Sequence, residues 1–160
     1  MTEKEVSRLF DELSEAAQAL NDESDTVTAL IRQFEERLNG YRLGVEAWVT
    51  VTDDRKPFRW YAHNDAEMSY PAESSEELQL GFTRHGIKQE WRLSIRRMKF
   101  QSIQDGPWAE IEAGMPVPLL EAPRVDRINA LEKFPELLAS LTSAAKELLG
   151  KVKAAKAVVK

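Results

Sequence analysis

Two histidines, His63 and His85, together with 27 acidic side chains and no cysteine, make up the reactive inventory of this 160-residue chain. Without cysteine there is no thiolate nucleophile, no thiolate metal cluster and no disulfide framework. His63 leads the run His63-Asn64-Asp65-Ala66-Glu67, with Asp53 and Asp54 nearby in sequence. That neighbourhood is where an imidazole and carboxylates would do acid–base work in a small hydrolase-like enzyme. Its spacing matches no metal motif, and no metal or other cofactor is expected. The segment Gly81-Phe82-Thr83-Arg84-His85-Gly86-Ile87-Lys88 has the glycines of a phosphate-binding loop. Its lysine arrives one residue late, however, no Ser or Thr follows, and it alternates like a hairpin. The chain contains no Gly-x-Ser-x-Gly elbow, no His-Glu-x-x-His and no dinucleotide fingerprint. No catalytic residue is therefore assigned.

A second set of residues points to binding. Trp48, Arg59, Tyr61, His63, Thr83, Arg92, Ser94 and Arg96 fall on the polar side of alternating segments. Aromatic rings interleaved with arginines stack bases or hold an anionic ligand or protein surface. The plainer expectation for the same residues is a solvated sheet face, on which cation–π pairs cover an isolated Trp. Nucleic-acid association, through Arg84, Lys88, Arg92, Arg96, Arg97 and Lys99, is an alternative function. Against it, the chain as a whole carries a net charge of −5. That charge is unevenly spread: −6 over residues 1–40, −4 over 41–83, +5 over 84–104, −4 over 105–145 and +4 over 146–160. Complementarity within or between chains explains these blocks more simply than a nucleic-acid footprint does.

The elements that must carry these side chains follow from hydrophobic period. Val6, Leu9, Phe10, Leu13, Ala16, Ala17 and Leu20 recur at helical spacing, as do Val27, Leu30, Ile31, Phe34 and Leu38 before Asn39-Gly40. Asn21-Asp22-Glu23-Ser24-Asp25 separates the two runs with poor helix formers and good N-caps, so a helical hairpin is expected. The rival is one helix, since positions 6, 10, 13, 17, 20, 24, 27, 31, 34 and 38 keep an unbroken 4-3 spacing. At 1.5 Å per residue such a helix is ~50 Å long, more than the ~40 Å diameter of a compact domain of this size.

From Leu43 to Val51 the period becomes two, which predicts a strand. Asp53 to Pro57 reads as a turn, Phe58 to His63 as a short returning strand, and 64–77 as a loop. A hairpin with His85-Gly86 as its two turn residues would set Phe82 opposite Gln89 and Leu80 opposite Trp91. Trp108 to Pro123, rich in proline, reads as an extended surface segment. Residues 124–158 read as a long helix with a kink or a new first turn at Pro135.

One α+β domain over residues 1–160 results: helical over 1–40, an antiparallel sheet of about four strands built from hairpins over 41–104, a Pro-rich segment over 105–123 and the long helix over 124–158. The sheet is expected to pack on the amino-terminal helical hairpin and the carboxyl-terminal helix. That last helix is long enough to reach past the body, leaving Leu138, Leu141, Ala145, Leu148 and Val152 in need of cover. The expected function is thus a non-enzymatic interaction or assembly module, a homo-dimer or higher oligomer formed through helical stripes, with the Arg and aromatic sheet face as a docking surface. No secretory leader or membrane-spanning stretch is read, and a cytoplasmic location is expected.

Overall fold

The computed structural model describes residues 2–63, 69–103 and 109–158, with backbone alone at 54–63, 69–73, 103 and 111. A single 39-residue helix, α1 (Glu3–Tyr41), opens the chain, so the expected helical hairpin is corrected to the continuous alternative. Thr2 starts it with a reciprocal capping box: the Glu5 N–H donates to Thr2 Oγ1 at 3.3 Å, and the Thr2 N–H donates to Glu5 Oε2 at 2.6 Å. The polar run at 21–25 does not break the helix: Asn21 and Asp22 find side-chain partners and the Ser24 carbonyl takes a second donor, while the Ser24 hydroxyl is buried without one. Gln18 donates to Asp22, Thr28 to the Ser24 carbonyl, and Arg124 to Asn21. Poor propensity costs only tenths of a kcal/mol per residue, roughly, and the unbroken apolar stripe outweighs it. Ser24, the one polar position in that stripe, is buried.

Three long strands follow as an antiparallel meander, β1 (Ala47–His63), β2 (Ser69–His85) and β3 (Glu90–Ile103). The expected turn at Asp53 to Pro57 and the loop at 69–77 are both strand instead. Asp53, Asp54, Arg55 and Lys56 pair with Glu77, Glu76, Ser75 and Ser74, and the register skips between Lys56 and Trp60, where Pro57 lies. A bulge is where a strand accommodates a residue lacking an N–H. The β2–β3 turn is also longer than expected. Arg84 pairs with Trp91, Phe82 with Leu93 and Leu80 with Ile95, leaving Gly86 to Gln89 as the loop. Gly86 (φ 67) and Gln89 (φ 54) take left-handed conformations, and Ile87 lies fully exposed at the tip. The shift is even on each strand, so the apolar faces coincide as predicted.

The Pro-rich segment is not an extended surface strip. Within it β4 (Ala109–Ala113) and β5 (Val117–Pro118) both pair with β3 on its far edge, completing a five-stranded sheet. A 3-10 turn (Leu119–Glu121) then buries Leu119 completely. Helix α2 (Arg124–Leu131) ends at Glu132-Lys133, and α3 (Phe134–Val158) begins with Pro135 in its first turn, where its missing N–H costs nothing.

All three helices cover one face of the sheet. Leu78, Leu80, Phe82, Leu93 and Ile95 meet Ile31, Leu38, Leu119, Ala130, Phe134, Leu137 and Leu141 in one core, flanked by Leu43, Val45 and Val49. Along α1 the contacts run in order: Asn21 to Arg124, Thr28 to Arg127, and Phe34 to Phe134 with ring centroids 4.8 Å apart. The α2–α3 segment therefore travels beside α1 in the same direction, and its far end leaves the body opposite to the free start of α1. Among the described residues no helix is long and apolar enough to cross a membrane.

Candidate functional site

On the polar face of the sheet, Trp48 sits opposite Gly81, which in turn faces Ser94. The Trp48 ring lies across Gly81 so closely that a Cβ there would fall inside van der Waals contact. The indole N–H donates to Glu46 Oε1 at 2.6 Å, the Thr83 hydroxyl donates to Glu46 Oε2 at 2.7 Å, and the Arg96 guanidinium lies 3.9 Å from the ring centroid. Burial alone would raise the Glu46 carboxyl; the Thr83 hydroxyl, the Trp48 N–H and Arg96 outweigh it and hold the group below the ordinary carboxylate range. Arg96 in turn donates to Gln79 Oε1 at 2.9 Å, and Thr50 and Gln79 both donate to Glu77.

Each of these polar groups is satisfied by its neighbours, which makes the patch a rigid cover over the sheet. We expect Gly81→Ala to eject Trp48 from this patch at a cost of about 2 kcal/mol. Urea denaturation and tryptophan fluorescence read it, and an unshifted midpoint with unchanged emission would contradict the packing described.

His85 Nε2 and Ser94 Oγ lie 2.5 Å apart, a separation suited to a base and its nucleophile. Ser94 is completely buried and its hydroxyl donates to the Arg92 carbonyl at 3.2 Å, so no substrate atom reaches it. The side chains of Arg59, Tyr61 and His63 lie outside the described residues, as do those of Asp54 and all of Asp65. By backbone, Tyr61 is thirteen residues from Trp48, about 40 Å along β1. Trp48 and Arg96 are thus brought together, while the other half of the expected face belongs to the opposite end of the strand. Arg92 turns away to α1, where its Nε meets Glu35 Oε1 at 2.7 Å. The remaining basic residues also scatter. Arg97 reaches Glu76 at 3.6 Å and Asp126 at 3.3 Å, Lys99 reaches Glu112 at 3.0 Å, and Arg84 lies over Trp91. Among the described residues no cluster of His, Cys, Asp or Glu could hold a metal ion.

The helices present a different surface. The side chains of α1 are exposed throughout residues 7–23, with Leu9 at 48%, Phe10 at 66%, Leu13 at 63% and Leu20 at 48%. Val27, Ile31, Phe34 and Leu38 of the same stripe are the ones that pack on the body. At the other end, Leu141 is buried and Ala145 partly covered, while Leu138, Leu148, Leu149 and Val152 are 42–51% exposed. A groove of about 320 Å³ opens between the end of α1 and α3, lined by Leu38, Tyr41, Leu43, Leu138, Ala145 and Leu149 among others.

Comparison with protein families, curated proteins and solved structures finds no match.

The larger unpartnered surface, on α1, was not expected from periodicity alone. A stripe of fixed period shows that a helix has an apolar side, not how far the rest of the fold extends beneath it. The cue was length: a 39-residue helix is ~58 Å, beyond what a domain of this size covers.

Proposed function

We propose that this chain is a non-enzymatic assembly module that self-associates through its unpartnered helical surfaces, in a cytoplasmic setting. The observation that carries this reading is the free amino-terminal half of α1, with four large apolar side chains in water on one stripe. Covering each of them gains about 1–2 kcal/mol, about 4–8 kcal/mol together, the range of millimolar to micromolar association, before counting the apolar surface of the partner and the cost of association. Docking on the Arg and aromatic sheet face is the weaker part of the proposal, because Trp48 and Arg96 already partner their own neighbours. Nucleic-acid binding has less support still, since Arg92, Arg97 and Lys99 are paired with carboxylates of the same chain.

The test is solution mass by light scattering across a concentration series. The native chain is expected at twice 18.2 kDa or more, and Phe10→Asp combined with Leu13→Asp is expected to lower it. A native mass of one chain at every concentration overturns the proposal.

A further inference from the structure

Resting on that reading, we infer that the contact is head-to-tail: the free half of α1 in one copy lies in the groove beside α3 of the next. The two surfaces match in character. Residues 3–20 carry five acidic and two basic side chains, a net −3, around Leu9, Phe10, Leu13 and Leu20. Residues 146–158 carry four lysines and one glutamate, a net +3, around Leu148, Leu149 and Val152. They match in length too: the free half of α1 is ~27 Å long, and the exposed α3 face from Leu138 to Val152 runs ~21 Å.

Other pairings fit less well. Within one chain, Leu13 lies 25 residues before Leu38, about 38 Å up the same straight helix from the groove, so it cannot fold back into it. Pairing α1 with α1 about a two-fold axis sets −3 against −3 and leaves the groove open; pairing α3 with α3 sets +3 against +3. Only the heterologous contact joins opposite charges and fills the groove. Because the two surfaces leave the body at opposite ends, the contact does not close between two copies, and the native chain grows into a ring or an open filament.

Two blocked variants decide it. The first, Phe10→Asp with Leu13→Asp, loses the head and keeps the groove; the second, Leu149→Asp with Val152→Asp, loses the groove face and keeps the head. All four positions are exposed, and far-UV circular dichroism checks that each variant keeps its helices. Each alone is expected at 18.2 kDa, and an equimolar mixture at twice that mass, with one intact contact and no further growth. A second readout uses the absence of cysteine: Leu13→Cys and Leu149→Cys chains, mixed and oxidised, are expected to cross-link to each other in preference to themselves. Self-association of the second variant alone establishes α1–α1 pairing and overturns the inference, as does self-association of the first alone. A mixture that stays at one chain, while the native protein associates, overturns it and leaves the assembly proposal standing. A native chain that never associates removes both.

Discussion

Leu119→Ala is expected to lower the unfolding free energy by about 3 kcal/mol, against the roughly 5–15 kcal/mol that holds a domain of this size together. Leu119 sits in the single 3-10 turn after β5, completely enclosed in the core with Leu93, Ala122 and Ala130. Truncation leaves a cavity between β3 and α1 that a turn pinned by β5 on one side and α2 on the other cannot collapse to fill. The urea midpoint should fall with the m-value unchanged, since the surface exposed on unfolding stays the same. A change below about 0.5 kcal/mol, the scale of a surface substitution, would return the segment to the exposed position that its prolines suggest.

That substitution tests the point where composition and structure part most clearly. Proline is excluded from a central strand, but β4 and β5 pair on one side only, where Pro118 lacks nothing the sheet requires. The aliphatic alternation of Ala47 to Val51, Leu78 to Phe82 and Leu93 to Ile95 was legible because one face is buried and period two admits no other reading; the expected strand start at Leu43 is corrected to Ala47, since Gly44 turns the chain at φ 64 before β1 begins. Residues 53–56 and 74–77 were not legible, because they are joined strand to strand by backbone pairing, and Asp, Ser and Glu look alike in a strand and in a loop. In α1 both signals were present and conflicted. Five residues of poor helix propensity argued for a break and a ten-position stripe argued against it; burial of Val27, Ile31, Phe34 and Leu38 decides between them.

The surfaces were legible in part for the same reason. Leu138, Leu148 and Val152 are left uncovered as their spacing suggested, and Leu141 is buried because the body reaches one turn further along α3. Arg96 and Trp48 meet because their strands align them in neighbouring rows, a placement that alternation predicts. Which arginine stays on that face and which leaves it depends on the angle at which α1 crosses β3, and no local pattern encodes that. Glu35 is the clearest case: among 27 acidic residues nothing in its spacing sets it apart.

Yet Glu35 closes the sheet. Its carboxylate accepts from Arg92 Nε at 2.7 Å and from the Leu93 backbone N–H at 2.9 Å, with only 13% of the side chain exposed. β5 pairs with β3 only at Ser94 and Ile95, so Glu35 takes the donor that a further strand residue would otherwise take. Glu35→Ala is expected to cost about 2–3 kcal/mol, because it strands a partly buried guanidinium and an edge N–H together. Arg92→Ala should cost less, since the carboxylate keeps the Leu93 N–H and the Arg92 site opens to water. Glu35→Gln should fall between them, its amide oxygen still accepting from Leu93 while the charge opposite Arg92 is gone. Native-state hydrogen exchange separates this from a purely electrostatic role: the Leu93 amide should lose protection in Glu35→Ala and retain most of it in Arg92→Ala. Equal protection in all three variants would mean that α1, and not its carboxylate, shields the edge. In the outcome expected, the β3 edge at Leu93 is unpaired, with only the Trp91 carbonyl beside it still held by Asn39 at 3.0 Å, and it is a template for unwanted strand pairing, so Glu35→Ala should aggregate on mild heating sooner than its loss of stability alone explains.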